Sequence, residues 1–292
     1  MKGCEAAFAA RYMMILKTID EVRKQVNSWR KEGYSIALVP TMGYLHEGHK
    51  SLIEKAHSEN KKVVVSVFVN PIQFGPNEDY DKYPRDIEKD SKLCEGAGAD
   101  LIFNPEVSEM YPEEILTTVK LSKLTAGLCG AKRPGHFDGV CTVVSKLFNI
   151  VKPDRAYFGE KDAQQLAVIK NMVKDLNFDI QIIGCPIVRE ESGLAKSSRN
   201  AYLSEEEKKS ALILSKSLFK AKELIQNGEK SAAKIEDFLI KNLSSEPRAK
   251  IDYVEIVDFK TIENIEEIKD ETLIAIAVYI GKTRLIDNII IR

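Results

Sequence analysis

The sequence is short of most features that would assign it at a glance. Its five cysteines, Cys4, Cys94, Cys129, Cys141 and Cys185, are scattered without a CxxC pair. That sets aside a zinc ribbon or a disulfide framework and fits reduced thiols in a cytoplasmic protein. Charge of either sign is barely in excess, with 43 Lys and Arg against 44 Asp and Glu, which argues against a nucleic-acid partner because phosphate-backbone recognition calls for a basic surface. No apolar run approaches the roughly 20 residues that span a bilayer, so no membrane partner is expected. At the N-terminus Glu5 and Arg11 interrupt the small apolar residues of "MKGCEAAFAARYMM". An extended leader before Met13 or Met14 is expected there rather than a secretory signal. Internal repeats and low-complexity tracts are also missing.

What is present is patterning. A length of 292 residues with 44% hydrophobic and 30% charged residues is ordinary for a folded chain and long enough for two domains. An amphipathic helix is predicted at about 18–31, followed by alternating apolar runs and helical stretches. Strands are expected at 36–39, 63–69, 100–103, 155–158 and 178–184. Helices are expected at 48–60, 83–95 (closed by Gly96), 140–151 and 163–176. Alternation of this kind implies parallel pairing, and runs such as "VVVSVFV" suit a sheet covered on both faces. The fold class is therefore α/β, with a Rossmann-like parallel sheet over residues 13–188. From Val188 the segment "REESGLAKSSRNAYLS" reads as a polar linker with few core-forming residues. A smaller α+β lid domain with antiparallel strands follows, giving a second domain over 189–292, with helices at 204–227 and 232–243 and a final hairpin turned by Gly281 and Lys282.

Only four histidines occur in the chain, and two of them stand three residues apart in "LVPTMGYLHEGHKSLIEKA". His46 and His49 fall between a strand and its helix, at the carboxyl edge where parallel sheets bind ligands. Free N–H groups at a helix start attract phosphate, and imidazole donors would add directed hydrogen bonds. A helix cap plus one packed histidine is the plainer explanation of an isolated HxxH. Zinc is weaker still, because HEGH lacks the HExxH spacing. At the next strand end, "FVNPIQFGPNEDYDKYPRD" offers the amides Asn70 and Gln73, which orient a small polar molecule without the desolvation cost of a charge. "AYFGEKDAQQL" repeats the strand–turn–helix arrangement with Lys161 and Asp162 at the junction and Gln164 and Gln165 one turn in. "KSSR", Lys196 to Arg199, puts two cations and two hydroxyls in the linker. Each alone is explained by a turn or a solvated tether. All four map to one edge of one sheet, which independent surface features would not do. Asp86, Glu88 and Asp90 are carboxylates near that edge.

Together, "VPTMGYLHEGH", "FVNPIQFG", "RPGHFDGV", "KLFNIVKPDRAYFGEKDAQQ" and "SSRNAYLS", in this order from about Met14 to Arg292, resemble the pantoate–beta-alanine ligases of the HIGH-motif nucleotidylyltransferase superfamily. The resemblance implies ATP-dependent condensation of pantoate with beta-alanine through a pantoyl adenylate, releasing AMP and pyrophosphate, with magnesium and a homodimer. It implies ATP contacts at Met42, Gly43, Tyr44, Leu45, His46, Glu47, Gly48 and His49, at Gly159, Glu160, Lys161 and Asp162, at Val188, and at Lys196, Ser197, Ser198 and Arg199. It also implies pantoate contacts at Asn70, Gln73 and Gln165 and a beta-alanine contact at Gln73. His49, as proton donor, and His46 and Lys161 are the expected catalytic residues. The leader to Tyr12 matches nothing in the family. Other classes that share HxGH are a nucleotidyltransferase acting on a phosphorylated acceptor and a nucleotide-binding regulator without turnover; AMP release separates the three.

Overall fold

The computed structural model describes residues 13–76 and 78–292; the predicted leader lies outside them. In chain order the elements of the first part are β1 (Met14–Leu16), α1 (Ile19–Lys31), β2 (Ile36–Thr41), α2 (Glu47–Glu59), β3 (Lys62–Val67), α3 (Ile87–Ala97), β4 (Leu101–Phe103), α4 (Val107–Met110), α5 (Leu128–Lys132), α6 (His136–Val151), β5 (Arg155–Gly159), α7 (Ala163–Asp175) and β6 (Gln181–Cys185). After these come α8 (Glu205–Gln226), α9 (Ala232–Leu243), β7 (Ala249–Asp258), β8 (Thr272–Ile280) and β9 (Thr283–Ile291). Among the described residues no helix is long and apolar enough to cross a membrane.

The first six strands form one parallel sheet in the order β1-β4-β3-β2-β5-β6. From β2 the chain winds outward to β3 and β4, then returns to the other side of β2 with β5 and β6, so the switch point lies between β2 and β5. That pair is the shortest contact inside the sheet. β2 runs beside β3 from Ile36 to Thr41, yet it meets β5 only at Ala37–Arg155 and Leu38–Ala156. Beyond Leu38 the two strands part, and Pro40 has no N–H with which to extend the ladder. A crevice opens at their carboxyl ends, the place where open parallel sheets bind ligands.

Local signals place most elements. Thr18 and Glu21 form a reciprocal capping box at α1, whose Val22, Val26 and Trp29 are buried at helical spacing. The helix expected at 83–95, α3, departs from expectation. It starts at Ile87 behind the cap Asp86 and ends at Gly98, whose φ is 92°, rather than running from Tyr83 to Gly96. Tyr83 precedes Pro84 and is biased out of the helical region, while continuation past Gly96 buries Ala97. The helix expected from Val140 begins four residues earlier, at His136, and β6 begins at Gln181 rather than Phe178. The three-residue edge strand β1 has too short a pattern to be read from sequence.

The last three strands form an antiparallel sheet, β7-β8-β9. β8 is buried on both faces, and its alternation sorts the residues. Ile274, Ile276 and Val278 pack with Leu214, Leu218, Ile235 and Leu239 of α8 and α9, while Leu273, Ala275 and Ala277 join the core that contains Leu128, Phe137 and Phe158. The small sheet is therefore a middle layer. The "REESGLAKSSRNAYLS" segment is also more than a tether. Arg189 and Ala195 bridge as a short hairpin, Leu194, Ala195 and Leu203 are buried, and Ser198–Tyr202 form a turn of 3-10 helix.

Candidate active site

After β2 the chain reverses through Gly43 and Tyr44, both left-handed at φ 85° and 52°. Asp90 of α3 holds this turn: its carboxylate accepts the N–H groups of Tyr44 at 2.8 Å and Leu45 at 2.6 Å. Burial raises the Asp90 pKa above the usual carboxylate value, against the pull of those two bonds. A Cβ at Gly43 would stand 3.0 Å from Asp90 Oδ2, so glycine leaves room for the clamp as well as accepting the positive φ.

His46 is the N-cap of α2. Its Nδ1 accepts the Gly48 N–H at 3.1 Å, and His49 Nδ1 accepts the His46 N–H at 3.3 Å. Backbone donors thus fix Nδ1 as the lone-pair nitrogen of both rings, so each neutral imidazole carries its proton on Nε2. Burial, and then the Lys161 charge, lowers the His46 pKa from 6.5 to about 4. Burial, then His46 and Lys161, holds His49 well below its ordinary value. Both rings are uncharged donors at neutral pH. Gly48 makes the pairing possible, because a Cβ there would lie 2.9 Å from His46 Cε1. The capping explanation holds, and because the cap uses Nδ1 it leaves Nε2 of each ring outside it.

At the second turn, β5 passes through one turn of 3-10 helix at Glu160–Asp162 into α7, which no side chain caps. The two glutamines that follow divide. Gln164 is buried and ties the 124–130 loop, donating to the Leu124 and Gly127 carbonyls at 2.9 Å each and accepting from Gly130 N–H. Gln165 faces the crevice. The amides after β3 form an ordered chain in which Tyr111 Oη donates to Asn70 Oδ1 at 2.7 Å, Asn70 Nδ2 donates to Gln73 Oε1 at 3.0 Å, and Gln73 Nε2 lies 2.9 Å from Met42 Sδ. In KSSR, Lys196 pairs with Glu47 at 3.0 Å and Arg199 with Asp79 at 3.2 Å, Ser197 caps its 3-10 turn, and Ser198 Oγ lies 3.2 Å from Tyr83 Oη.

These pieces line one cavity of about 230 Å³ in the crevice. Of the expected residues it takes Met42, His46, Gly48, His49, Asn70, Gln73, Gly159, Lys161, Asp162, Gln165, Val188, Lys196, Ser197, Ser198 and Arg199. Gly43, Tyr44, Leu45, Glu47 and Glu160 do not line it. Leu45 is core, Gly43 and Tyr44 shape the turn, Glu47 points to solvent and Lys196, and Glu160 pairs with Arg292. A larger cavity of about 650 Å³ adjoins it toward the antiparallel sheet, sharing Lys161, Asp162, Gln165, Ser197 and Arg199 of the expected residues, and Arg133 and His136 besides.

Two contributors are not evident residue by residue, although "RPGHFDGV" contains the first, His136, and the start of the second, Val140. His136 Nδ1–H donates to the Gln73 carbonyl at 2.8 Å, leaving Nε2 to accept from Arg133 Nη1 at 2.9 Å. Burial, then the Arg133 charge, lowers His136 to about 4. Arg133 itself makes a bidentate pair with Glu78 at 2.6 Å on each arm. The other contributor is a stripe on α6, Val140, Val143, Val144 and Leu147, which with Phe158 makes an apolar wall. Its spacing is legible as a helix, but its place on a cavity wall is not.

Of the three carboxylates noted near the edge, Asp86 caps α3, Glu88 is exposed and Asp90 is committed to the turn. The carboxylate that lines the crevice cavity is Asp162. Among the described residues no group of three or more His, Cys, Asp or Glu is arranged to hold a metal ion.

Comparison with known proteins shows the family and the fold. The family model described as pantoate-beta-alanine ligase matches residues 14–290. A pantothenate synthetase of Clostridium acetobutylicum is 64% identical over 276 residues, covering 94% of this chain and 98% of the relative. One of Enterococcus faecalis is 62% identical over 276 residues, with the same coverage of 94% and 98%. The solved pantothenate synthetase of Thermus thermophilus superposes with a TM-score of 0.90 at 46% identity, over 95% of this chain and 99% of that one. A Francisella tularensis pantoate-beta-alanine ligase complexed with beta-gamma ATP and beta-alanine superposes with a TM-score of 0.77 at 37% identity, over 96% and 98%.

Proposed function

The chain belongs to the pantoate–beta-alanine ligase family and joins pantoate to beta-alanine, and from that premise we propose how its own residues do so. ATP binds in the crevice with its phosphates at the start of α2. A pantoate carboxylate oxygen attacks the α-phosphorus, the bond from that phosphorus to the pyrophosphate oxygen breaks, and pantoyl adenylate and pyrophosphate result. The amine of beta-alanine then attacks the acyl carbon, the amine proton is lost and AMP leaves, giving pantothenate.

The observation that carries this reading is the protonation pattern of the histidine pair. Nδ1 of each ring is held by the backbone, so Nε2–H of His46 and His49 are fixed donors on a cavity that also holds Lys161 and the KSSR segment. Such groups act by positioning and by countering the charge that gathers on the leaving pyrophosphate. Lys196 and Arg199 change partners in doing so, from Glu47 and Asp79 to phosphate oxygens. The Val140–Leu147 stripe and Phe158 suit the two methyl groups of pantoate, with Asn70, Gln73 and Gln165 beside them for its hydroxyls and carboxylate; Gln73 also serves beta-alanine. Val188 offers its backbone to the adenine. Magnesium fits as a passenger on the triphosphate, since Mg²⁺ is usually held by one or two carboxylates together with substrate phosphates, and Asp162 is the cavity carboxylate. The ion would spread the charge of the transferring group.

Free thiols at Cys94, Cys129, Cys141 and Cys185 suit a reducing, ATP-supplied compartment, and the protein is assigned to the cytoplasm. A homodimer is carried over from the family as a proposal that light scattering tests. Labelled pyrophosphate should enter ATP when pantoate and magnesium are supplied without beta-alanine. Exchange that requires beta-alanine would remove the adenylate from the mechanism. Family membership does not favour the nucleotidyltransferase or the inactive regulator, and stoichiometric AMP release is the result expected against both.

A further inference from the structure

The turn that carries Lys161 has no cap of its own, and the group that holds it comes from the far end of the chain. Asn288 on β9 is 3% exposed. Its Nδ2 donates to the carbonyl oxygens of Glu160 at 3.0 Å and Lys161 at 2.9 Å. An amide nitrogen has two hydrogens, and both are used. The preceding residue, Asp287, is 2% exposed and forms a bidentate pair with Arg189 at 2.7 and 2.9 Å, while one of its oxygens also accepts the Asn288 N–H at 2.8 Å. Successive residues of a strand face opposite ways, so this dipeptide reaches two segments at once. One is the Lys161 turn, and the other is the residue next to Val188.

We propose that Asn288 is a positioning residue for adenylation: by holding the Glu160 and Lys161 carbonyls it sets the direction in which the Lys161 ammonium meets the phosphates. The inference rests on the role given to Lys161 above and adds what fixes that role in space. Asn288 touches no reacting atom and acts through the turn. It also makes the turn's geometry conditional on docking of the antiparallel sheet, because β9 is an edge strand of that sheet and Arg292, just beyond it, pairs with Glu160. Both groups close from the same side on a turn that contains a lysine at the junction of the two cavities. A misplacement of about 1 Å at a reacting centre costs on the order of 10²-fold, so looseness here is read in rate before it is read in affinity.

The discriminating substitution is Asn288→Asp, which keeps the shape but replaces the two donated hydrogens with an acceptor facing two carbonyl oxygens. Pantoate-dependent pyrophosphate exchange should fall about 10- to 100-fold in kcat, with the KM for pantoate within about twofold of the parent. Asn288→Ala, which removes the donors without adding charge, should fall less, and it serves if the first variant does not fold. In a Lys161→Ala background either change should alter the residual exchange by less than about twofold, because its effect passes through Lys161. Full exchange in a folded Asn288→Asp protein, or an equal fold-loss with and without Lys161, overturns the proposal. If Lys161→Ala alone exchanges at the parent rate, the role of Lys161 in the proposed function fails instead, a result distinct from the other two.

Discussion

The two strand-to-helix turns that flank the crevice are built by opposite means. The β2–α2 turn is furnished locally: His46 and His49 cap one helix reciprocally, Gly48 makes space for the ring above it, and Asp90 braces the backbone from a neighbouring helix of the same sheet. The β5–α7 turn has no side-chain cap and is held by Asn288 and Arg292 from the other end of the chain. The first turn is therefore shaped by groups of the parallel-sheet part of the chain alone. The second is complete only when the antiparallel sheet docks. A donor array that must face a transition state gains from being preorganised, while a turn assembled from two parts of the chain is the one that docking can govern.

The largest expected effect tests whether the first turn is chemical as well as structural. His49→Ala should lower the adenylation rate by roughly 10²–10³-fold, the loss typical of one preorganised donor, with a weaker effect on pantoate affinity and little change in Tm. A protein that unfolds while its folded fraction adenylates normally would reduce the histidine pair to packing. Asp90→Ala should show the complementary pattern. It strips the acceptor from two N–H groups in a left-handed turn and should cost about 3 kcal/mol of stability, at roughly 1–3 kcal/mol for each buried donor left unpaired. Thermal melting with calorimetry checks this, and an unchanged Tm would mean that the turn is held without Asp90.

How much of this was open to inspection of the sequence follows the same division. The HEGH turn is legible because its donors, glycine spacer and helix start are adjacent in the chain, and GEKD is legible as a charged turn after an apolar strand. What holds each turn is not, since Asp90 and Asn288 reach them across 45 and more residues and their roles exist only in the packed sheet. Contiguity also misleads. Glu47 lies between two cavity residues in sequence, but the helix start turns its side chain outward to solvent. The charge pattern extends the expected helix back to Tyr83, whereas the local rule that residues before proline avoid the helical region puts its start later. His136 lies within "RPGHFDGV", and its signal in the sequence is the scarcity of histidine itself.

A smaller effect sharpens the contrast through protonation. Because backbone donors occupy Nδ1 of His46 and burial lowers its pKa to about 4, the pair should stay neutral where a free histidine titrates. Imidazole resonances of His46 and His49 should show no inflection near pH 6.5. The sign for stability follows. A folded pKa below the unfolded 6.5 means that the contribution of His46 is complete above about pH 6.5 and is lost as pH falls toward about 4. The slope of Tm against pH in that window should therefore flatten in His46→Gln. A full titration of either ring near 6.5 would mean that the pair is charged and solvated, and the donor assignment would fail.

The smallest expected effect concerns Glu47, the residue that separates membership of a motif from work at the site. Its side chain is 64% exposed and pairs with Lys196 at 3.0 Å, and exposed pairs contribute about 0–1 kcal/mol. Glu47→Gln should leave Tm unchanged within about one degree. The KM for ATP should remain within about threefold and move downward if at all, because Lys196 is then released from a carboxylate that competes with phosphate. Lys196→Ala, by contrast, should raise the KM for ATP. If Glu47→Gln weakens ATP as much as Lys196→Ala does, the Glu47–Lys196 pair works as a unit in the nucleotide complex, and the locally built turn extends one residue further than its cavity wall.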